Sequence, residues 1–242
     1  NATRELLLFS PGRVKEVLVV EDRENKRLKE IVELALKQDI KLSKASKHEL
    51  SQIVRSDSHQ GIVAKVDARE GFSLKSLLGS KRSDEAGLLL LIDAVQDPHN
   101  LGAILRAAEC YGVQGVIYSR NRCPGIGPVV RKSSSGASEI VPVVEVGNLV
   151  QAAVTIKKAE YWLVGADVGE GSESLHKFSF PARCCLVLGS EGSGIQRLLL
   201  EKLDYRVKIP MFGRLDSLNV SQAASVFLDA YRRGLCSIDK QA

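Results

Sequence analysis

Residues 88–112 read LLLLIDAVQDPHNLGAILRAAECYG. Four leucines and an isoleucine in succession form a run too short for a buried helix. They also lack the polar alternation of a half-exposed strand, so the run predicts a strand covered on both faces, as in a parallel sheet. The apolar stretch stops at Asp93, a turn passes through Asp97-Pro98, and a helix is predicted to begin after Asn100. Strand, polar turn and helix make the first half of a βαβ unit. Ligands of open parallel sheets lie beyond the C-terminal ends of the strands, which singles out Asp93 to Asn100.

Further strands are predicted downstream at Gly115–Tyr118, Ile140–Val144, Tyr161–Ala166, Cys184–Leu188 and Tyr205–Lys208, with helices between most of them and a last helix after Leu218. Strands alternating with helices imply a mainly parallel sheet with both faces covered. Upstream, Arg4–Phe9 is a short helix candidate and Glu16–Val20 a strand. Leu28, Ile31, Val32 and Ala35 share one helical face within Asn25–Gln38. Ile40–Leu42 (strand), Lys47–Arg55 (helix) and Ile62–Val66 (strand) complete a small α/β unit. Charge, Gly and Ser without periodicity then mark a linker. The expected organisation is residues 1–68 as one domain, 69–86 as linker and 87–242 as a second domain.

The chain has 242 residues, enough for one or two domains with a real core, and its 44% hydrophobic and 26% charged residues are those of an ordinary globular protein. No apolar run approaches the roughly 20 residues of a membrane-spanning helix. A net charge of +5 permits a nucleic-acid partner without demanding one. The five cysteines form no C-x-x-C pair, and adjacent Cys184 and Cys185 sit in an apolar run, so a reducing, cytoplasmic setting is expected. The four histidines lack ligand spacing, and no metal site is expected.

Three motifs stand apart from scaffold. In the first, Asn100 reads either as a helix N-cap or as a functional amide. Arg106 reads as a surface partner of Glu109 or as a functional cation on a face left uncrowded by Gly102 and Ala103. The second, Leu186-Val-Leu-Gly-Ser-Glu-Gly-Ser-Gly-Ile195, runs a strand into three glycines. Such a loop either admits a ligand close to the backbone or simply turns tightly, and its G-x-x-G-x-G spacing is not the dinucleotide fingerprint. The third runs from Ile209 to Ala224, where Ser217 or Asn219 can cap an amphipathic helix. Capping needs neither both polar residues nor the apolar Ile209-Pro-Met before the glycine.

In this order, over about Leu88 to Leu235, the three motifs resemble those of the SPOUT superfamily, in its SpoU branch of RNA ribose 2′-O-methyltransferases. The N-terminal unit, including His59-Gln-Gly-Ile-Val-Ala64, resembles that family's L30e-like substrate-binding domain. The likeness is greatest to bacterial members that methylate a guanosine ribose in the peptidyl-transferase loop of 23S rRNA. It implies an α/β fold with a deep trefoil knot in the C-terminal domain, S-adenosylmethionine as cofactor, and a homodimer whose active site uses both subunits. Carried over by position, it implies catalytic roles for Asn100, Arg106, Glu191, Ser217 and Asn219, and cofactor contacts at Leu188, Gly189, Ile209, Met211 and Leu218. Arg106 stands where the family's proposed catalytic residue lies. A guanidinium is always protonated, so its expected role is to hold the adjacent phosphate and stabilise the developing alkoxide.

The expected partner is 23S rRNA or a pre-ribosomal particle, met by basic clusters such as Arg13/Lys15, Arg23/Lys26/Arg27/Lys29 and Lys41/Lys44/Lys47, with Arg120, Arg122, Arg131 and Lys132 nearer the site. With 5% aromatic residues, recognition by shape and phosphate is favoured over base stacking. Two alternatives remain, the same reaction on tRNA and a non-catalytic ribosome-assembly factor. A Rossmann dehydrogenase lacks its glycine fingerprint after Asp93.

Overall fold

A computed structural model of the chain describes residues 2–20, 25–55, 57, 59–67, 71–79, 86–190 and 192–238. The N-terminal unit comprises α1 (Ala2–Phe9), β1 (Val14–Val19), α2 (Lys26–Lys37), β2 (Lys41–Lys44), α3 (Lys47–Val54) and β3 (Ile62–Val66). Its three-stranded sheet has the order β2-β1-β3, with β1 parallel to β2 and antiparallel to β3. Helix α2 starts where the Asn25 side chain accepts from the Arg27 and Leu28 N–H groups. Its apolar face, Leu28, Ile31 and Ala35, packs with Leu7 and Val17 into a small core. Helix α3 opens with a capping box between Ser46 and Glu49.

The segment expected as linker holds a helix, α4 (Leu74–Gly79). Its Leu77 is buried in the core of the next sheet beside Leu89, Leu91 and Ile117. A Cβ on Gly115 would fall 2.5 Å from the end of the Leu77 side chain, so glycine there lets Leu77 lie directly on the strand.

The second unit continues through β4 (Gly87–Ile92), α5 (Pro98–Cys110), β5 (Gly115–Ser119), α6 (Pro128–Ser133), α7 (Ala137–Ile140) and β6 (Val143–Val146). It then runs through α8 (Leu149–Lys158), β7 (Trp162–Ala166), β8 (Glu173–Ser174), β9 (Arg183–Leu188), α9 (Arg197–Leu200), β10 (Tyr205–Lys208) and α10 (Val220–Ile238). Seven strands form one sheet in the order β6-β5-β4-β9-β7-β10-β8, and every neighbouring pair is parallel. The leucine run divides by the two-residue period of a strand. Leu88, Leu90 and Ile92 join a core with Ile104, Phe227 and Tyr231 under α5 and α10. Leu89 and Leu91 join the opposite core with Ala153 and Ile156 of α8. Cys184 and Cys185 divide in the same way, and burial pushes both thiols up.

Two local expectations are corrected. Helix α5 begins at Pro98 rather than after Asn100, because Asp97 is the N-cap, its carboxylate accepting from His99 N–H at 2.8 Å. The strand expected at Ile140–Val144 begins only at Val143. Gly136, at φ +95°, starts the short α7, and the chain joins the sheet where Val116 N–H donates to the Pro142 carbonyl at 2.9 Å. The two-residue edge strand β8 carried no sequence signal.

The two units meet at a buried carboxylate. Glu139 is 4% exposed and accepts from Arg13 Nη1 at 2.5 Å and from Arg131 Nη1. Arg13 also donates to the Asp67 carbonyl at 2.9 Å. Among the described residues no helix is long and apolar enough to cross a membrane.

Candidate active site

The C-terminal ends of β4, β5 and β9 open, with the start of α10, into a cleft of about 490 Å³. Its lining includes Asp97, Asn100, Arg122, Ser190, Gly192 and Val220. Asn100 occupies the third position of α5, so it is not the cap. Its side chain faces α10, where Asn219 Nδ2 donates to Asn100 Oδ1 at 3.1 Å. Asn219 also caps α10, its Oδ1 accepting from Ser221 N–H at 2.9 Å and Ser221 Oγ at 2.6 Å. The first and third motifs, 119 residues apart, thus meet through one amide–amide hydrogen bond.

The glycine loop is a tight turn. Ser190 N–H donates to the Gly194 carbonyl at 3.0 Å, and Gly194 N–H returns to Ser190 at 3.1 Å. A Cβ on Gly189 would stand 2.3 Å from the Gly194 carbonyl carbon, so this glycine is required by the loop's own backbone. Gly192, by contrast, faces open space. The loop is tied to β4 through Asp93, which is fully buried. Asp93 Oδ2 accepts from Gln196 N–H at 2.8 Å, and Oδ1 lies 3.3 Å from Arg122 Nη1. That same Nη1 donates to Gln196 Oε1 at 2.8 Å. Beside it, Cys123 is buried, and burial raises its thiol.

The remaining predicted residues spread around this centre. Arg106 is exposed and has no hydrogen bond or ion pair among the described residues, so of its two readings the pairing with Glu109 is not the one observed. It lies six residues past Asn100, about 9 Å along the helix and about 120° around it, and one chain does not bring the two together. Gly102 does not clear a face for Arg106. A Cβ there would lie 1.8 Å from Ser133 Oγ, so its small size lets α5 and α6 touch. Ser217 is exposed and donates to Asp216 Oδ1 at 3.1 Å. Glu191 lies outside the described residues.

Leu188 is buried in the core opposite Ile92. Ile209 and Met211 are half-buried and Leu218 is 38% exposed. Their segment leaves Phe212 at 88% and Leu215 at 79% exposure. Among the described residues, no N–H from Met211 to Leu218 donates to another backbone group. Apolar side chains and uncommitted backbone donors in one irregular segment suit an adenine-sized apolar slot with backbone hydrogen bonds.

Sequence reasoning placed Asp93 at the strand end and Asp97 in the turn but gave neither a partner, and it missed Gln196. The Asp-Pro pair was a readable N-cap and first-turn signature, whereas a bond spanning 103 residues between Gln196 and Asp93 has no local signal. Of the arginines expected near RNA, Arg13 and Arg131 are committed to Glu139, and Arg120 pairs with Glu145 at 3.1 Å.

Residues 87–229 match the SpoU rRNA methylase family, and residues 1–72 match the RNA 2′-O ribose methyltransferase substrate-binding family. The chain is 37% identical to a 23S rRNA (guanosine-2′-O-)-methyltransferase RlmB of Coxiella burnetii, over 96% of this chain and 93% of that protein. It is equally identical, at 37%, to the RlmB of Pseudomonas aeruginosa, over 94% and 92%. Among solved structures, the SpoU methyltransferase AviRb of Streptomyces viridochromogenes in complex with AdoMet superposes with a TM-score of 0.78 at 26% identity, covering 97% of this chain and 89% of that one. The chain belongs to the SpoU rRNA methylase family.

Proposed function

We propose that the chain methylates the ribose 2′-hydroxyl of a guanosine in 23S rRNA, in the peptidyl-transferase loop, with S-adenosylmethionine as donor. The carrying observation is similarity to named 23S rRNA (guanosine-2′-O-)-methyltransferases over more than nine-tenths of both chains. The tRNA reading is weaker, because two solved tRNA-modifying enzymes match 69% and 63% of this chain, against more than nine-tenths for the RlmB relatives.

The cofactor fits the apolar, donor-rich segment around Ile209, Met211 and Leu218 and the turn at Leu188-Gly189. When bound, it supplies a methyl group activated on sulfonium. The protein's own work is then to position the hydroxyl and to support its loss of a proton. Asn219 fixes the acceptor end of the Asn100 amide, so Asn100 meets the target ribose in one orientation. Arg106 holds the adjacent phosphate and stabilises the developing alkoxide, while solvent or the phosphate accepts the proton. Ser217 and Glu191 orient the ribose and Arg106.

We further propose residues 1–68 as the RNA-binding domain, 69–86 as linker and 87–242 as the catalytic domain. The deep trefoil knot is supported by the strand order, in which β9 inserts between β4 and β7, and β10 between β7 and β8. A homodimer with shared active sites is supported by the separation of Arg106 from Asn100 and by the exposed Phe212 and Leu215. A cytoplasmic location follows from the rRNA substrate.

The test is nucleoside mass spectrometry after incubation with S-adenosylmethionine and either unmodified 23S rRNA or tRNA, with Arg106→Ala as control. The expected result is 2′-O-methylguanosine in 23S rRNA alone, lost in the variant. Methylation of tRNA alone overturns the substrate, and methylation of neither overturns the enzyme reading for these RNAs.

A further inference from the structure

Four basic residues follow β5 close to the cleft, and the structure sorts them. Arg120 is paired with Glu145 and Arg131 with Glu139, while Lys132 is exposed on α6 outside the cleft lining. Only Arg122 lines the same cleft as Asn100. Its side chain is 38% exposed, and its commitments among the described residues run through a single nitrogen, Nη1, to Gln196 Oε1 and towards Asp93. Five N–H donors in a planar fork leave the other nitrogens for the cleft. Asp93, fully buried behind it, keeps the fork in place and holds the glycine loop through Gln196. Asp97, the other carboxylate of the lining, is occupied with capping α5.

We infer that Arg122 is a substrate-binding residue, held by Asp93, whose guanidinium takes a backbone phosphate of the RNA next to the ribose at Asn100. The inference rests on the reading of the cleft as the methyl-acceptor site. It assigns Arg122 a phosphate other than the one given to Arg106, which lies about two turns further along α5. An arginine fixed before binding loses less side-chain entropy on meeting a phosphate than a free surface lysine does. Asp93 is a positioning residue, since it reaches the substrate only through Arg122 and the loop.

The experiment measures methyl transfer to unmodified 23S rRNA, RNA affinity across a salt series, and S-adenosylmethionine affinity by calorimetry, for wild type, Arg122→Gln and Arg122→Lys. For Arg122→Gln the expected result is a KM for RNA about tenfold higher, kcat within about twofold, unchanged cofactor affinity, and a log–log salt slope shallower by up to about one. Arg122→Lys should keep the wild-type slope with a KM several-fold raised, and it answers the question if the glutamine variant does not fold. Unchanged salt slope in Arg122→Gln, or a lysine variant whose slope falls, overturns the inference. A cofactor affinity that falls in step with RNA affinity also overturns it, leaving Arg122 as a brace for the glycine loop. Wild type that transfers no methyl to 23S rRNA defeats the proposed function instead, an outcome read before any variant is compared.

Discussion

On the α5 side of the cleft the polar groups are tied down. Asp97 caps the helix, Asp93 holds the Gln196 amide, and Gly102 is pressed against Ser133. The segment that leads into α10 differs: among the described residues, 211–218 donate no N–H to another backbone group, and Phe212 and Leu215 are left exposed. The first side is finished by the chain's own folding. The second has the composition of a surface completed by something else, a cofactor or a second subunit. Positioning of the acceptor is therefore built in, and binding of the donor orders what remains.

The largest expected effect falls on Arg106, which is exposed on α5 and has no hydrogen bond or ion pair among the described residues. Arg106→Ala should lower turnover on 23S rRNA by about 10²–10³-fold, as loss of a transition-state donor does, with an unchanged thermal midpoint. A midpoint that falls with turnover would make Arg106 structural. Next comes the Asn219–Asn100 hydrogen bond, which links α5 to the start of α10. Asn219→Asp keeps the acceptor that caps α10 but removes the donor to Asn100, so turnover should drop by about 10²-fold at wild-type stability. Asn219→Ala should add a loss of about 1 kcal/mol in urea unfolding. If the two variants unfold alike, the cap is not what Asn219 contributes.

S-adenosylmethionine at about a hundred times its Kd should stabilise the protein by about 2.7 kcal/mol. Hydrogen exchange should then slow in residues 211–218 and stay as it was in α5. Protection confined to α5 would reverse the assignment of the two sides. Gly102→Ala should cost about 1–3 kcal/mol through overpacking, while Gly192→Ala, facing open space, should stay within about 0.5 kcal/mol.

The smallest effect lies away from the cleft. Lys65, Ser43 and Lys41 hold the Glu16 carboxyl down to about 2. A depressed carboxylate contributes stability that is complete above its unfolded pKa, about 4.3, and that fades as pH falls towards 2. The gap in urea midpoint between wild type and Glu16→Gln should therefore close from pH 5 to pH 2. A constant gap would trace the effect to packing.

The regular elements of both units were largely legible, because continuous apolar strands and amphipathic helices carry their own period. Leu88 to Ile92 could hardly be anything but a central strand. The order of the strands was not legible, since placing β9 between β4 and β7 is decided by long-range packing. Asn100 and Asn219 could be named from resemblance, but their hydrogen bond could not, because nothing local tells one asparagine which distant one it meets. Gly102 was read as clearing a face for Arg106, and the Gly189 loop as either a ligand site or a tight turn; Gly102 makes room for Ser133, and Gly189 for the backbone of Gly194. Alone, a glycine in sequence shows that something comes close, and does not show what.

Glu139 has a practical consequence for anyone building chimaeras. Its carboxylate carries one arginine from each unit, so a junction anywhere between Val66 and Gly87 separates the pieces of one ion cluster. A donor front unit without a cation in the place of Arg13 would leave Glu139 Oε2 buried without its donor. Such a graft should therefore either carry Arg13 across or arrive with Glu139→Gln already in the recipient.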